Sequence, residues 1–241
     1  MKRFVNIAAL AVLIFLQGCA ADSSRVIEYL TGFQARPASA PQPSLTARPL
    51  VAGLVLALPE TESGKPTMPA PAILEKVAGR IKKELGESSG LVIQQILPPV
   101  TIPAGGASGL SLERLRTLAK EAKLDNLIVV VATSRSAQKL RFWPVLENQL
   151  YVRMDAALVD VQRGAVLLTE VGQDDYVMAD VLDYTMRISY PRLYYRNFTF
   201  GGPFIIVEGD PYQALAWETF KGAADQLGMK LRQRLSLEGV S

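Results

Sequence analysis

Few side chains of this 241-residue chain belong to types that perform chemistry. It has one cysteine, Cys19, and no histidine. It therefore lacks the commonest general base and the commonest metal ligand, and it cannot form an intramolecular disulfide. Asp174 and Asp175 are neighbouring carboxylates, a residue type that glycoside hydrolysis uses in pairs. Their spacing fits no calcium loop, so we interpret them as a solvated turn and predict no catalytic residue, no metal and no cofactor.

A glycine-rich stretch, "PPVTIPAGGASGLSLERL", lies between a predicted strand and a predicted helix. Phosphate-binding loops occur at such places, but the Lys-Ser/Thr step that follows them is absent. A mobile connector is the better interpretation. Nor does the chain contain an "SxxK" motif for a Ser-Lys dyad.

The charge balance argues against nucleic acid as a partner. The formal net charge is +3, and Lys2 and Arg3 contribute two of these charges. Without them the chain is nearly neutral and has no basic block, whereas nucleic-acid binding needs many cations against phosphates.

The amino terminus is typical of a secretory signal. Lys2 and Arg3 precede an apolar run from residue 4 to 16 that only Asn6 interrupts, and Leu16-Gln17-Gly18-Cys19 follows. The run is too short to cross a bilayer comfortably. An ordinary signal peptide with a chance cysteine is the alternative interpretation.

The four residues that end at Cys19 resemble the bacterial lipobox. The resemblance implies a diacylglyceryl group on the thiol, cleavage after residue 18 and acylation of the new amino group. Two or three acyl chains anchor a protein stably, whereas one chain does so only marginally. In the enterobacterial sorting pattern, Asp directly after the cysteine retains a lipoprotein in the inner membrane. Ala20 and Ala21 follow here, so we expect the periplasmic face of the outer membrane.

The remaining chain divides into a tether and one domain. Residues 19–49 include "ARPASAPQPSLTARP", which predicts an extended Pro-rich tether. Before it, "SSRVIEYLTGF" predicts either a short amphipathic turn near the lipid or a strip docked on the domain. Residues 50–241 form the domain.

Periodicity predicts an α/β domain with helices packed on a mixed sheet. Buried strands are predicted at 50–58, 91–97 and 127–132. A hairpin is predicted at 149–161 and 165–171, turning at Gln162-Arg163-Gly164. Helices are predicted at 71–85, at 111–123 after the cap Ser111, and after Asp210, where Pro211 occupies the first turn.

An aromatic-rich insertion, about residues 173–209, precedes the last helix. Tyrosine and arginine are favoured at interface hot spots, and aromatic residues also suit a membrane boundary. The insertion is therefore a candidate docking surface for a partner or for the bilayer. The alternative is a subdomain whose aromatic face covers the sheet. The candidate partner-binding residues are Tyr190, Tyr194, Tyr195, Phe198 and Phe200.

Three segments together resemble periplasmic lipoprotein domains typified by CsgG, LpoB and the amino-terminal domain of TolB. They are "LERLRTLAKEAKLDNLIVVVATS", "VRMDAALVDVQRGAVLLTEV" and "ALAWETFKGAADQLGMKLRQRL". "SSRVIEYLTG" is also similar to lipoproteins named rhombotarget, which end in a Gly-Gly sorting tail, whereas this chain ends in "SLEGVS".

The resemblance implies an assembly or regulatory partner rather than an enzyme. We therefore expect a non-enzymatic lipoprotein, anchored in the membrane, that binds an envelope protein or associates with itself. A secretion-channel subunit is the alternative. A periplasmic hydrolase or a carbohydrate-binding module is a further one.

Overall fold

A computed structural model describes residues 24–35, 50–60, 71–86, 90–103, 109–142, 145–181, 193–196, 205–206 and 211–238. The predicted signal peptide, residues 1–18, and the lipidation residue Cys19 lie outside these ranges, as do Tyr190, Phe198, Phe200 and Asp210.

The described residues form four helices and eleven strands. The helices are α1 (Val26–Tyr29), α2 (Pro71–Gly86), α3 (Leu112–Glu121) and α4 (Pro211–Glu238). The strands are β1 (Leu30–Thr31), β2 (Gln34–Ala35), β3 (Leu50–Pro59), β4 (Leu91–Ile96), β5 (Val100–Ile102), β6 (Leu110–Ser111), β7 (Asn126–Phe142), β8 (Val145–Asp160), β9 (Ala165–Val181), β10 (Leu193–Arg196) and β11 (Ile205–Ile206).

One mixed sheet organises the domain, as the sequence predicts. Its strand order is β11-β10-β9-β8-β7-β3-β4, with β2 added to β9 and β5 added to β3. Strands β4, β5 and β7 run parallel to β3, whereas β7, β8, β9, β10 and β11 follow one another antiparallel. Strand β3, which has parallel neighbours on both sides, is buried on both faces, and this is why it is a continuous apolar run.

The sheet separates two apolar cores. Alternate residues of β3 divide between them: Leu54 and Leu56 pack with α2 and α4, and Val55 and Ala57 pack with α3. This alternation follows from the two-residue period of a strand. We call the face under α2 and α4 the helix side. The opposite face, under α1 and α3, is the strap side.

The predicted local signals are confirmed at several element ends. The Ser111 hydroxyl accepts a hydrogen bond from the backbone N–H of Arg114, as an N-cap does. Helix α4 begins at Pro211, whose missing N–H costs nothing in a first turn. Gly164 ends the β8–β9 turn with φ of 65°, a conformation that glycine adopts without strain.

The meander is longer than predicted. Strands β7 and β9 each have 17 residues and β8 has 16. Residues 173–181 therefore belong to β9, and placing the start of the insertion at residue 173 was wrong. The sequence "GQDDYVMADV" is polar, but its backbone pairs with β8 along its whole length.

Candidate functional site

The segment from Ser24 to Ala35, which we call the strap, is docked on the strap side of the sheet. The contact between the strap and the sheet centres on Asp155 of β8, which is only 2% exposed. The Asp155 carboxylate accepts a 2.8 Å hydrogen bond from the backbone N–H of Arg25. It also accepts bonds of 2.8 and 3.1 Å from the Arg153 guanidinium. Charge-assisted bonds of this kind are roughly twice as strong as neutral ones.

Apolar contacts and two short strand pairings hold the rest of the strap. Val26 is fully buried and Leu30 is 6% exposed, both within the strap-side core. Strand β1 pairs with β6, and β2 pairs with the start of β9. Gly32 makes the turn between them with φ of 83°, a left-handed conformation that favours glycine.

Tyr29 adds a titratable group to this interface. Burial, followed by the negative charges of Glu28 and Asp155, raises the pKa of Tyr29 above its ordinary value of 10.0, while Arg25 lowers it. The neutral phenol is therefore the form that fits the docked strap.

The docked strap corrects the predicted tether. Of the two alternatives for "SSRVIEYLTGF", the structure shows the strip docked on the domain. Arg25 is only six residues after Cys19, so those residues can span at most about 21 Å. The Pro-rich residues 36–49, which lie outside the described ranges, connect β2 to β3 of the same domain. They cannot set the distance between Cys19 and the domain.

Beyond Asp155, towards the β7–β8 turn, the strap side carries a polar row. Tyr151 donates a 2.8 Å hydrogen bond to Gln173. Gln149 donates one of 2.8 Å to Asp175. Cross-strand polar pairs of this kind stabilise antiparallel strands directly.

The carboxylates Asp174 and Asp175 are not in a solvated turn, so that prediction was wrong. They are 2% and 5% exposed, in the middle of β9. As neighbours in a strand they face opposite sides of the sheet. On the helix side, Asp174 lies against Gly222 of α4, where any Cβ would collide with its carboxylate.

These buried carboxylates do not converge on a common point. Asp155 and Asp175 share the strap side, but Asp175 pairs with Tyr151, four residues from Asp155 along β8. That separation is about 13 Å along a strand, whereas paired catalytic carboxylates in glycosidases lie about 5–9.5 Å apart. Among the described residues there is also no group of three histidine, cysteine, aspartate or glutamate residues that could hold a metal ion.

Helix α4 covers the outer edge of β9 between the positions where β2 and β10 pair. The Gln226 side chain accepts a 2.7 Å hydrogen bond from the backbone N–H of Gln173. Lys230 donates a 2.8 Å bond to the carbonyl of Val171, and Arg234 donates a 2.9 Å bond to the Glu170 carboxylate. Side chains of the helix thus replace a neighbouring strand at this edge.

The predicted aromatic surface lies mostly outside the described residues. Tyr194 and Tyr195 belong to β10, opposite Met178 and Val177 of β9. Strand β10 thus pairs with the opposite end of β9 from the strap strand β2. The docking prediction for the five aromatic residues stays a prediction. Of the glycine-rich loop, residues 104–108 are likewise outside the described ranges.

Sequence reasoning missed Asp155, the residue at the centre of the strap contact. Its partner Arg25 is 130 positions away in the chain, and no local pattern reports such a contact. One signal was present: Arg153 and Asp155 are the charged residues of the otherwise apolar stretch 152–159, and an acid and a base two positions apart in a strand lie on the same face.

No described helix has the length and apolar character needed to cross a bilayer.

Comparisons with known proteins give similarity to bacterial lipoproteins at low identity. No family model matches the chain, and no curated protein matches it in sequence. Among solved structures, a PelC dodecamer from Paraburkholderia phytofirmans is 10% identical with a TM-score of 0.34, over 78% of this chain and 95% of that one. Lipoprotein GNA1162 from Neisseria meningitidis is 14% identical with a TM-score of 0.30, over 52% and 82%. A minor lipoprotein from Acinetobacter baumannii is 9% identical with a TM-score of 0.31, over 78% and 94%. At these TM-scores no function can be transferred to this chain.

Proposed function

We propose that this chain is a lipid-anchored accessory lipoprotein of the bacterial outer membrane, displayed at the periplasmic face. It carries out no catalysis, and its α/β domain binds another envelope protein or a second copy of itself.

The observation that carries the proposal is the docking of the strap so soon after the lipobox. Leu16-Gln17-Gly18-Cys19 ends six residues before Arg25, whose N–H binds Asp155 inside the domain. The anchoring signal and the outer layer of the fold are thus nearly continuous in the chain. Such an arrangement suits a protein that works at the membrane surface.

The state of the acidic residues supports a non-catalytic role. Asp155 binds Arg153 and the strap, and Asp175 binds Gln149. A general acid or base must reach the proton that it transfers. These two carboxylates are buried and hold structural partners instead.

Metabolic labelling with a lipid precursor tests the anchor. The wild type should incorporate the label and sediment with the outer membrane, whereas Cys19→Ser should incorporate none and leave the membrane fraction. A matched control is Ser24→Ala. It keeps Cys19 and changes a nearby side chain that is about as small as cysteine. Equal labelling of wild type and Cys19→Ser would refute the lipoprotein assignment.

Crosslinking in intact envelopes tests the binding role. Wild type should recover a defined partner or a covalent dimer, and a Tyr194→Ala, Tyr195→Ala, Phe198→Ala variant should lose it if the aromatic segment docks. Thr117→Ala, an exposed change on α3, is the control. Recovery of the same partners by both proteins would remove the aromatic segment from the binding surface.

A further inference from the structure

We infer that the strap side of the domain lies against the bilayer, with α3 and the exposed apolar residues Ile27, Val51 and Val92 at the lipid surface. This inference rests on the proposed lipid anchor at Cys19. It adds to that proposal an orientation and a second membrane-contacting surface.

Chain length is the first argument. Arg25 is fixed to Asp155, and six residues separate it from Cys19, so the anchor lies within about 21 Å of the strap. The sheet and its two covering layers are stacked at about 10 Å per layer. The outer surface of the helix side is therefore about 20 Å from Arg25 straight through the domain. The path around the sheet edge is longer, so six residues hold the anchor nearer to the strap side.

The second argument is the apolar surface on this side. Ile27 is 46% exposed, next to the fully buried Val26. Val51 and Val92, 41% and 45% exposed, are cross-strand partners on β3 and β4. Val51 is four positions before Val55 on β3, so both side chains face the same side of the sheet. Val55 belongs to the strap-side core. Exposed aliphatic side chains beside an acyl anchor add buried apolar area when the surface meets a membrane.

The third argument is charge. On the same side of the sheet lies α3, and Leu124, three residues after its end, packs beside Gly53 of β3. Its exposed residues and those just after it include four cations, Arg114, Arg116, Lys120 and Lys123, against three carboxylates, Glu113, Glu121 and Asp125. The excess of one positive charge (4 − 3) is compatible with a surface of anionic phospholipid.

A probe experiment on the full-length lipoprotein tests the orientation. When Cys19 is lipidated, a cysteine placed elsewhere is the only free thiol, so an environment-sensitive fluorophore can be attached at one position. The positions are Ile27→Cys, Val92→Cys and, as a matched control, Met229→Cys, which is 51% exposed on α4 of the helix side. The proteins are reconstituted into vesicles of phosphatidylglycerol and phosphatidylethanolamine that contain a lipid-borne quencher.

We expect a blue shift and quenching at positions 27 and 92 and neither effect at position 229. Equal quenching at all three positions, or stronger quenching at 229, would overturn the inference. Flotation of the same samples separates the two proposals. If the labelled protein does not float with the vesicles, the anchor itself has failed. If it floats with unquenched probes at 27 and 92, the anchor stands and only the orientation fails.

A second variant tests whether the strap sets the orientation. Arg25→Pro removes the N–H that binds Asp155 and leaves the buried carboxylate and Arg153 in place. With the probe at position 92, this variant should still float but should lose most of the quenching. Unchanged quenching in a variant with a wild-type unfolding curve would show that the strap does not orient the domain.

Discussion

The two faces of the sheet are held by different kinds of interaction. On the helix side, two helices of 16 and 28 residues bury continuous apolar stripes. On the strap side, a ten-residue helix and the strap cover the sheet, and a buried carboxylate fixes the strap. Apolar burial is non-directional, whereas a hydrogen-bonded carboxylate fixes one segment in one place. Both faces thus bury apolar cores, and the strap side adds a directional contact that positions the amino terminus.

Phe220→Ala should give the largest loss of stability. Phe220 is 1% exposed in the helix-side core, and truncating a buried phenylalanine costs about 3–5 kcal/mol. Urea denaturation should show a lower midpoint with a single transition. Met229→Ala on the exposed face of the same helix should change the free energy of unfolding by no more than about 0.5 kcal/mol. Similar losses from both would mean that α4 does not form the main core.

Asp155→Ala should affect the strap more than the domain. It removes charge-assisted hydrogen bonds. Each bond of this kind contributes about 1.5–3 kcal/mol to stability. We expect faster hydrogen exchange and faster proteolysis within residues 24–35, while α4 keeps its protection. Glu75→Ala is the control, because Glu75 is an exposed carboxylate on α2 and surface changes of this kind usually alter stability by no more than about 0.5 kcal/mol. Uniform loss of protection across the domain would contradict the proposed division between the two faces.

A pair of glycines tests the close packing of α4 on β9. A Cβ at Gly172 would collide with the carbonyl of Ala223 and with Leu227, so Gly172→Ala should destabilise by about 1–3 kcal/mol. At Gly79 on α2, an added Cβ would have no atom within 4 Å. Gly79→Ala should stabilise by about 0.4–1 kcal/mol. Thermal unfolding measures both changes, and a change of the same sign in both would refute the packing argument.

High pH should release the strap before it unfolds the domain. Because the pKa of Tyr29 is raised in the folded state, its contribution is complete below pH 10.0 and is lost as pH rises through the folded pKa. Proteolysis of residues 24–35 should therefore accelerate above pH 10. Tyr29→Phe cannot ionise and should lose this dependence. An identical pH profile in the variant would show that another group controls docking.

Sequence patterns predicted most of the helix side. Helices α2 and α4 show apolar residues at three- and four-residue spacing, and β3 is apolar throughout, so periodicity alone places them. The turn between β8 and β9 was predicted from Gly164, because glycine is typical of hairpin turns.

The strap side was harder to predict because its contacts are long-range and polar. Val26 and Leu30 could face lipid or protein, and only the contact with Asp155 decides between these outcomes. The second half of β9 was missed because polar residues in a sequence usually indicate solvent. Here Gln173 and Asp175 form hydrogen bonds to Tyr151 and Gln149 within the sheet, and Asp175 is buried.

The side chains of α4 at the outer edge of β9 limit how copies of this protein can assemble. An open strand edge is a template onto which a second molecule can add a strand. Here Gln226 and Lys230 already bind the backbone of Gln173 and Val171. A strand from a neighbouring molecule would have to displace them and leave the Lys230 ammonium without its acceptor. Any self-association must therefore use side-chain surfaces or another edge, not continuous sheet growth at this position.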